Sequence, residues 1–145
     1  GSVTVHCPDA TTNIIAGIMP AKALSEKGVP IAMGCDIGGG QHAAVYRQVA
    51  RAVQLSKLKE FYEPEGNGSI TFAQAFHMAT KAGGSVFDRA GSLEKGYRFN
   101  ALVLDGLEDE GFTLSPEERA ERFCYAGDDR NIIGRFIDGK EIILP

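Results

Sequence analysis

The chain has 145 residues, 43% of them hydrophobic and 23% charged, the balance of a soluble globular domain or two small ones. A net charge of −4 gives no electrostatic footing for nucleic acid or an anionic membrane surface. Three scattered cysteines (Cys7, Cys35, Cys124) and no apolar run near the ~18 residues of a span lead us to expect a cytoplasmic protein with reduced thiols and no leader.

In chain order, "SVTVHC" alternates and stops at Pro8, which predicts a strand of about five residues. "PAKALSEKG" predicts a short helix opened by Pro20 and closed by Gly28. "PIAMGCD" is a continuous apolar strand of the kind buried on both faces of a parallel sheet. From Gln41 to about Tyr62, Ala44, Val45, Val49, Ala52, Val53, Leu55 and Leu58 recur at helical spacing. Residues 2–62 therefore read as two consecutive βα units.

"EPEGNGS" breaks the chain at Glu63–Ser69, and Thr71–Lys81 predicts a helix with Phe72, Ala75, Phe76 and Ala79 on one face. The character changes near residue 91. "YRFNALVLDG" is a β-type run, Ser115, Pro116 and Glu118 spell a helix start, and "NIIGRFIDGKEIIL" is a hairpin around Asp138-Gly139. "EDE" at 108–110 reads as a solvated loop, and "GDDRN" at 127–131 as a turn with a salt bridge. We expect a boundary there, with residues 1–90 carrying βα units and 91–145 a small β-rich appendage.

In parallel α/β folds, ligands gather beyond the C-terminal ends of the strands. Asp36 closes the second strand, and Gly38, Gly39 and Gly40 beyond it permit positive φ and a close approach of substrate or metal. A turn or helix-capping carboxylate is the competing account. His6 closes the first strand and should project onto the same rim, with a purely structural histidine as its alternative.

"VHCPDATTNIIAGIMPAKALSEKGVPIAMGCDIGGG" resembles the last barrel segment of the amidohydrolase superfamily, guanine deaminases most closely. Members carry His-Cys-Pro ending the seventh strand and Gly-Thr-Asp ending the eighth. "SITFAQAFHMATKAGG", "GSLEKGYRFNALVLD" and "GDDRNIIGRFIDGKEI" extend the resemblance over nearly the whole chain. It implies an α/β fold made of the last two βα units of a (β/α)8 barrel plus a small C-terminal β-domain, an incomplete barrel. It further implies a zinc-dependent hydrolase converting guanine and water to xanthine and ammonia. Asp36 would be the metal ligand and catalytic proton shuttle, and His6 would lie near the substrate.

The chain also departs from the family pattern. Ala10-Thr11 stands where Ser-Asn is usual, with Asn13 displaced; Cys35 replaces a common Thr and Asn100 a common Asp. The first-strand His-x-His pair and the fifth-strand histidine have no counterpart, since His42 and His77 are the only other histidines. Either could be solvated, and His42 could reach a ligand. One carboxylate cannot hold a catalytic zinc, which takes three protein ligands and a water. We therefore expect a chain that binds no zinc and is inactive alone. It should pair with the missing N-terminal barrel portion or form a homo-oligomer. A non-catalytic α/β binding or self-association module is the alternative. A cytidine-deaminase-type site is set aside because no two cysteines are spaced Cys-x-x-Cys; thiol catalysis by Cys7 or Cys35 stays open without a clear base arrangement, against the reading of each as a small buried apolar residue.

Overall fold

The computed structural model describes residues 2–65, 68–108 and 111–143. Gly66-Asn67 of the expected break and Asp109-Glu110 of the acidic loop lie outside the described residues. The first strand, β1 (Thr4–His6), pairs in parallel with β2 (Ile31–Met33), in the register Thr4–Ile31, Val5–Ala32, His6–Met33. Thr4 N donates to Pro30 O and Gly34 N to His6 O, which lengthens the ladder by one bond at each end. β1 stops because Pro8 has no N–H to continue the ladder.

Pro8 instead opens a helix that the pattern of the sequence does not predict, α1 (Pro8–Asn13). Asp, Thr and Asn are weak helix formers, but Pro at the first position is preorganised for a helix. The Thr11 and Thr12 hydroxyls donate back to Cys7 O and Pro8 O, at 3.1 and 2.7 Å. Next, α2 (Ala21–Glu26) buries Ala21 and is terminated at Gly28, whose φ is +75°. β2 is buried at all three positions, as its apolar run predicts.

The long helix, α3 (Val45–Tyr62), begins four residues later than Gln41, because residues 37–44 are engaged in the loop after β2. Val49, Ala52, Val53 and Leu55 of α3 are buried. Its Ser56 is buried too; the hydroxyl donates to Val53 O and accepts from Ile70 N. A capping box between Thr71 and Gln74 opens α4 (Phe72–His77), followed by a wider turn at Met78–Ala82 that packs on β2. Phe72 and Ala75 face the core, whereas Phe76 is partly open.

In the remaining third, β3 (Ala101–Leu104), β4 (Ile132–Ile137) and β5 (Lys140–Glu141) form an antiparallel sheet in that order, separate from the parallel pair. Asp138 (φ 51°) and Gly139 (φ 76°) make the hairpin turn that the sequence predicts. Asn100 Oδ1 accepts from Asp138 N at 2.8 Å, so the asparagine at that position ties the hairpin down. The capping box predicted at Ser115 and Glu118 opens α5 (Pro116–Ala126).

One apolar cluster joins both parts. It runs from Ala21, Ile31 and Met33 through α3 to Phe123 and Cys124 of α5, with Tyr46 and Phe123 rings 4.4 Å apart. Large apolar side chains nevertheless stay in solvent: Val5 is 54% exposed, Ile37 63%, Leu102 52% and Ile133 62%. A groove of about 730 Å³ runs between α3, the turn after α4, and β3, lined by Val49, Phe76, Leu104 and Phe123.

Candidate functional site

The parallel strands end together. Asp36 leaves β2 exposed, with φ of +45°, a left-handed conformation that aspartate tolerates better than most residues. Its carbonyl accepts from Gly39 N at 3.0 Å and Gly40 N at 2.8 Å, so the chain turns tightly back on itself. A Cβ on Gly40 would sit 2.3 Å from Cys35 O, and one on Gly39 would sit 3.1 Å from Asp36 Oδ2. The protein's own loop thus fills the space that the sequence suggested was cleared for a ligand. Gly38 alone of the three faces open space, with φ of +112°.

His6 does not project into solvent at the rim. It is 2% exposed, and its Nδ1 has no hydrogen-bond partner. Burial lowers its pKa from 6.5 to about 4, so the ring is neutral at pH 7. An orphaned buried ring nitrogen is rare in a finished fold. Beside it, Cys7 is half-buried, and burial, then the negative charge of Asp36 and the neighbouring Cys35, raise its pKa. Those couplings put Cys7, Cys35 and Asp36 at one end of the sheet, and they oppose thiolate formation at Cys7. Burial pushes the Cys124 thiol to about 12, consistent with a packing role.

The sequence reading missed Asp9. Its carboxylate is 3% exposed yet charged. Gln48 Nε2 donates to Oδ2 at 2.8 Å, Arg51 Nε donates to Oδ1 at 2.9 Å, and His42 Nδ1 lies 3.4 Å from Oδ2. Asp9 N in turn donates to Gln48 Oε1 at 3.2 Å. Burial alone would raise the Asp9 pKa; the hydrogen bonds from Gln48, Arg51 and His42, with the Arg51 charge, outweigh it and hold the pKa below the usual carboxylate range. His42 is therefore neither free in solvent nor at the Asp36 carboxylate. The available signal was an Asp directly after a proline that could open a helix.

Other expected positions fall out simply. His77 is exposed at the end of α4. "GDDRN" is a short helical turn in which Arg130 donates to the Asp128 carboxylate, whose pKa falls to about 2. Arg130 is 88% exposed, so this pair adds little stability. Among the described residues, no group of three or more His, Cys, Asp or Glu side chains could hold a metal ion. Asp36 is a single donor, and the described donors do not suffice for a catalytic metal.

Comparison with known proteins bears on the origin of this arrangement. A family model described as "Amidohydrolase family" matches residues 1–142. Guanine deaminase of Dictyostelium discoideum is 27% identical over 94% of this chain, which covers 32% of that protein. A solved guanine deaminase from C. acetobutylicum, with guanine bound in its active site, superposes with a TM-score of 0.89 at 40% identity, over 96% of this chain and 33% of that one. An adenosine deaminase from Xanthomonas campestris with bound zinc shares the fold, with a TM-score of 0.76 at 23% identity, over 94% of this chain and 31% of that one. The resemblance to guanine deaminases carried by the motifs is borne out over nearly the whole chain, which spans about a third of the length of these relatives. With a family match running from the first parallel strand to the last hairpin, the chain belongs to the amidohydrolase family.

Proposed function

We propose that this chain is the C-terminal portion of a cytoplasmic, zinc-dependent, guanine-deaminase-like aminohydrolase. In this reading β1 and β2 are the seventh and eighth strands of a (β/α)8 barrel. Residues 1–90 are the partial barrel, and 91–145 supply the strands, helix and hairpin of the small β-domain. The completed enzyme converts guanine and water to xanthine and ammonia. Asp36 contributes one carboxylate to a donor set finished by residues outside this chain and accepts the proton of the attacking water. His6, buried and neutral, belongs to the substrate side of that site. Without the remaining donors the chain is inactive.

The observation that carries the reading is Asp36 itself, exposed on a tight turn at the C-terminal end of a parallel strand. It lies within a 40% identical match to a solved guanine deaminase. The unpartnered His6 Nδ1 and the exposed Val5 and Ile37 beside the two-stranded sheet fit a surface awaiting more barrel. The test is complementation. The chain is produced together with the N-terminal barrel portion of a related guanine deaminase, and loss of guanine absorbance is followed. Xanthine should form only when both parts are present. A folded complex that leaves guanine untouched would overturn the reading.

The exposed apolar surface also favours a second reading, a self-associating module without chemistry. Light scattering on the chain alone, with and without the barrel portion, separates the two. The enzyme reading requires self-association to give way to the mixed complex.

A further inference from the structure

We propose that Asp9, acting with Asn13, is a positioning residue that fixes the loop carrying Asp36 against the long helix α3. The proposal rests on the reading of Asp36 given above. Both residues lie on α1; the side chain of Asn13 links to the stretch between β2 and α3, and that of Asp9 to His42 in the same stretch and to Gln48 and Arg51 on α3.

Asn13 Nδ2 donates to Gly39 O at 2.8 Å and to Gln41 Oε1 at 2.7 Å, which holds the middle of the loop. Asp9 touches its exit through His42 at 3.4 Å and is itself anchored to α3 by Gln48 at 2.8 Å and Arg51 at 2.9 Å. The side chains of α1 pack just as close: a Cβ on Gly39 would be 3.2 Å from Ala10 Cβ, and one on Gly40 3.5 Å from Asp9 Cβ. Gly39 and Gly40 are the residues whose N–H groups bond Asp36 O. The chain of contact therefore runs from α3 to Asp9, across α1, and into the turn that aims Asp36. Gln48, 0% exposed, gives and takes one bond each with Asp9, which fixes the spacing of α1 and α3. Asp9 touches no reacting group itself; it acts through the loop.

Hydrogen exchange at the Gly39 and Gly40 amides tests this in the 145-residue chain, with the Val53 amide at the centre of α3 as internal reference. In Asp9→Asn and in Asn13→Ala, exchange at Gly39 and Gly40 should quicken about tenfold while Val53 is unchanged. Equal protection in the variants and the parent would overturn the proposal. If Asp9→Asn fails to fold, Asn13→Ala decides, because Asn13 is exposed. In the complemented enzyme, both variants should lower kcat about tenfold or more with KM unchanged, as loss of outer support for a metal ligand does. Unchanged kcat would equally overturn it. If the parent complex makes no xanthine, the deaminase reading fails, while the exchange result still judges the clamp.

Discussion

Arg51 Nε donates to Asp9 Oδ1 at 2.9 Å, joining a half-exposed guanidinium on α3 to a carboxylate that is 3% exposed. The asymmetry sets the consequence of breaking the pair. Arg51 can return to water, whereas Asp9 cannot.

Arg51→Met should therefore destabilise the chain more than an exposed ion pair would. The carboxylate keeps Gln48 and His42 but loses the Arg51 charge. A loss of about 1–3 kcal/mol is expected, measured by urea unfolding. A change within a few tenths of a kcal/mol would mean that Gln48 suffices.

Stability should fall with acid in a window set by His6. Its folded pKa is about 4 against 6.5 for the free side chain. Between those values the unfolded chain binds a proton that the folded chain refuses, so stability rises with pH across the window and is complete above it. The full effect is roughly 3 kcal/mol, and His6→Gln should flatten the slope. The Asp9 contribution has the same sign but a lower window. It is present above the ordinary carboxylate pKa and lost as pH falls through the depressed folded value. Urea midpoints from about pH 2 to 7 separate the two, with the His6 slope above pH 4 and the Asp9 slope below it.

The glycines after Asp36 should not be equivalent. Alanine at Gly40 would bring a Cβ to 2.3 Å from Cys35 O, a clash with backbone that costs about 1–3 kcal/mol. Alanine at Gly38 meets nothing, and only its φ of +112° is strained. Gly40→Ala should lower the unfolding midpoint and disturb the Asp36 turn. Gly38→Ala should mostly cost stability. Similar disturbance of the Asp36 amide signals by both would contradict the packing described here.

Where a signal was local, the sequence carried it. Ser115 and Glu118 cap α5 through contacts three residues apart, and Asp138-Gly139 makes its hairpin from its own φ preferences. Helix α1 was illegible because its threonines and aspartate favour it only once Asp9 finds Gln48 and Arg51, 39 and 42 residues away. The start of α3 was misread for a related reason. Gln41–Ala44 fit the helical pattern, but Asn13 and Asp9 draw the Gln41 and His42 side chains into the preceding loop. The alternation in β1 gives a strand with two faces, as read from the sequence. The fold leaves Val5 54% exposed and buries His6, although Ala32, the β2 residue paired with Val5, is covered. The place of Asp36 just past β2 was legible, since an apolar run ending in a carboxylate and glycines marks a strand end.

The most direct test of the account is Asp36→Asn in the complemented enzyme, with xanthine production and bound zinc measured together. The account predicts a fall in kcat of about 10²–10⁴-fold with reduced zinc in a complex of unchanged size. Parent-level activity in that variant would show that Asp36 only closes a turn.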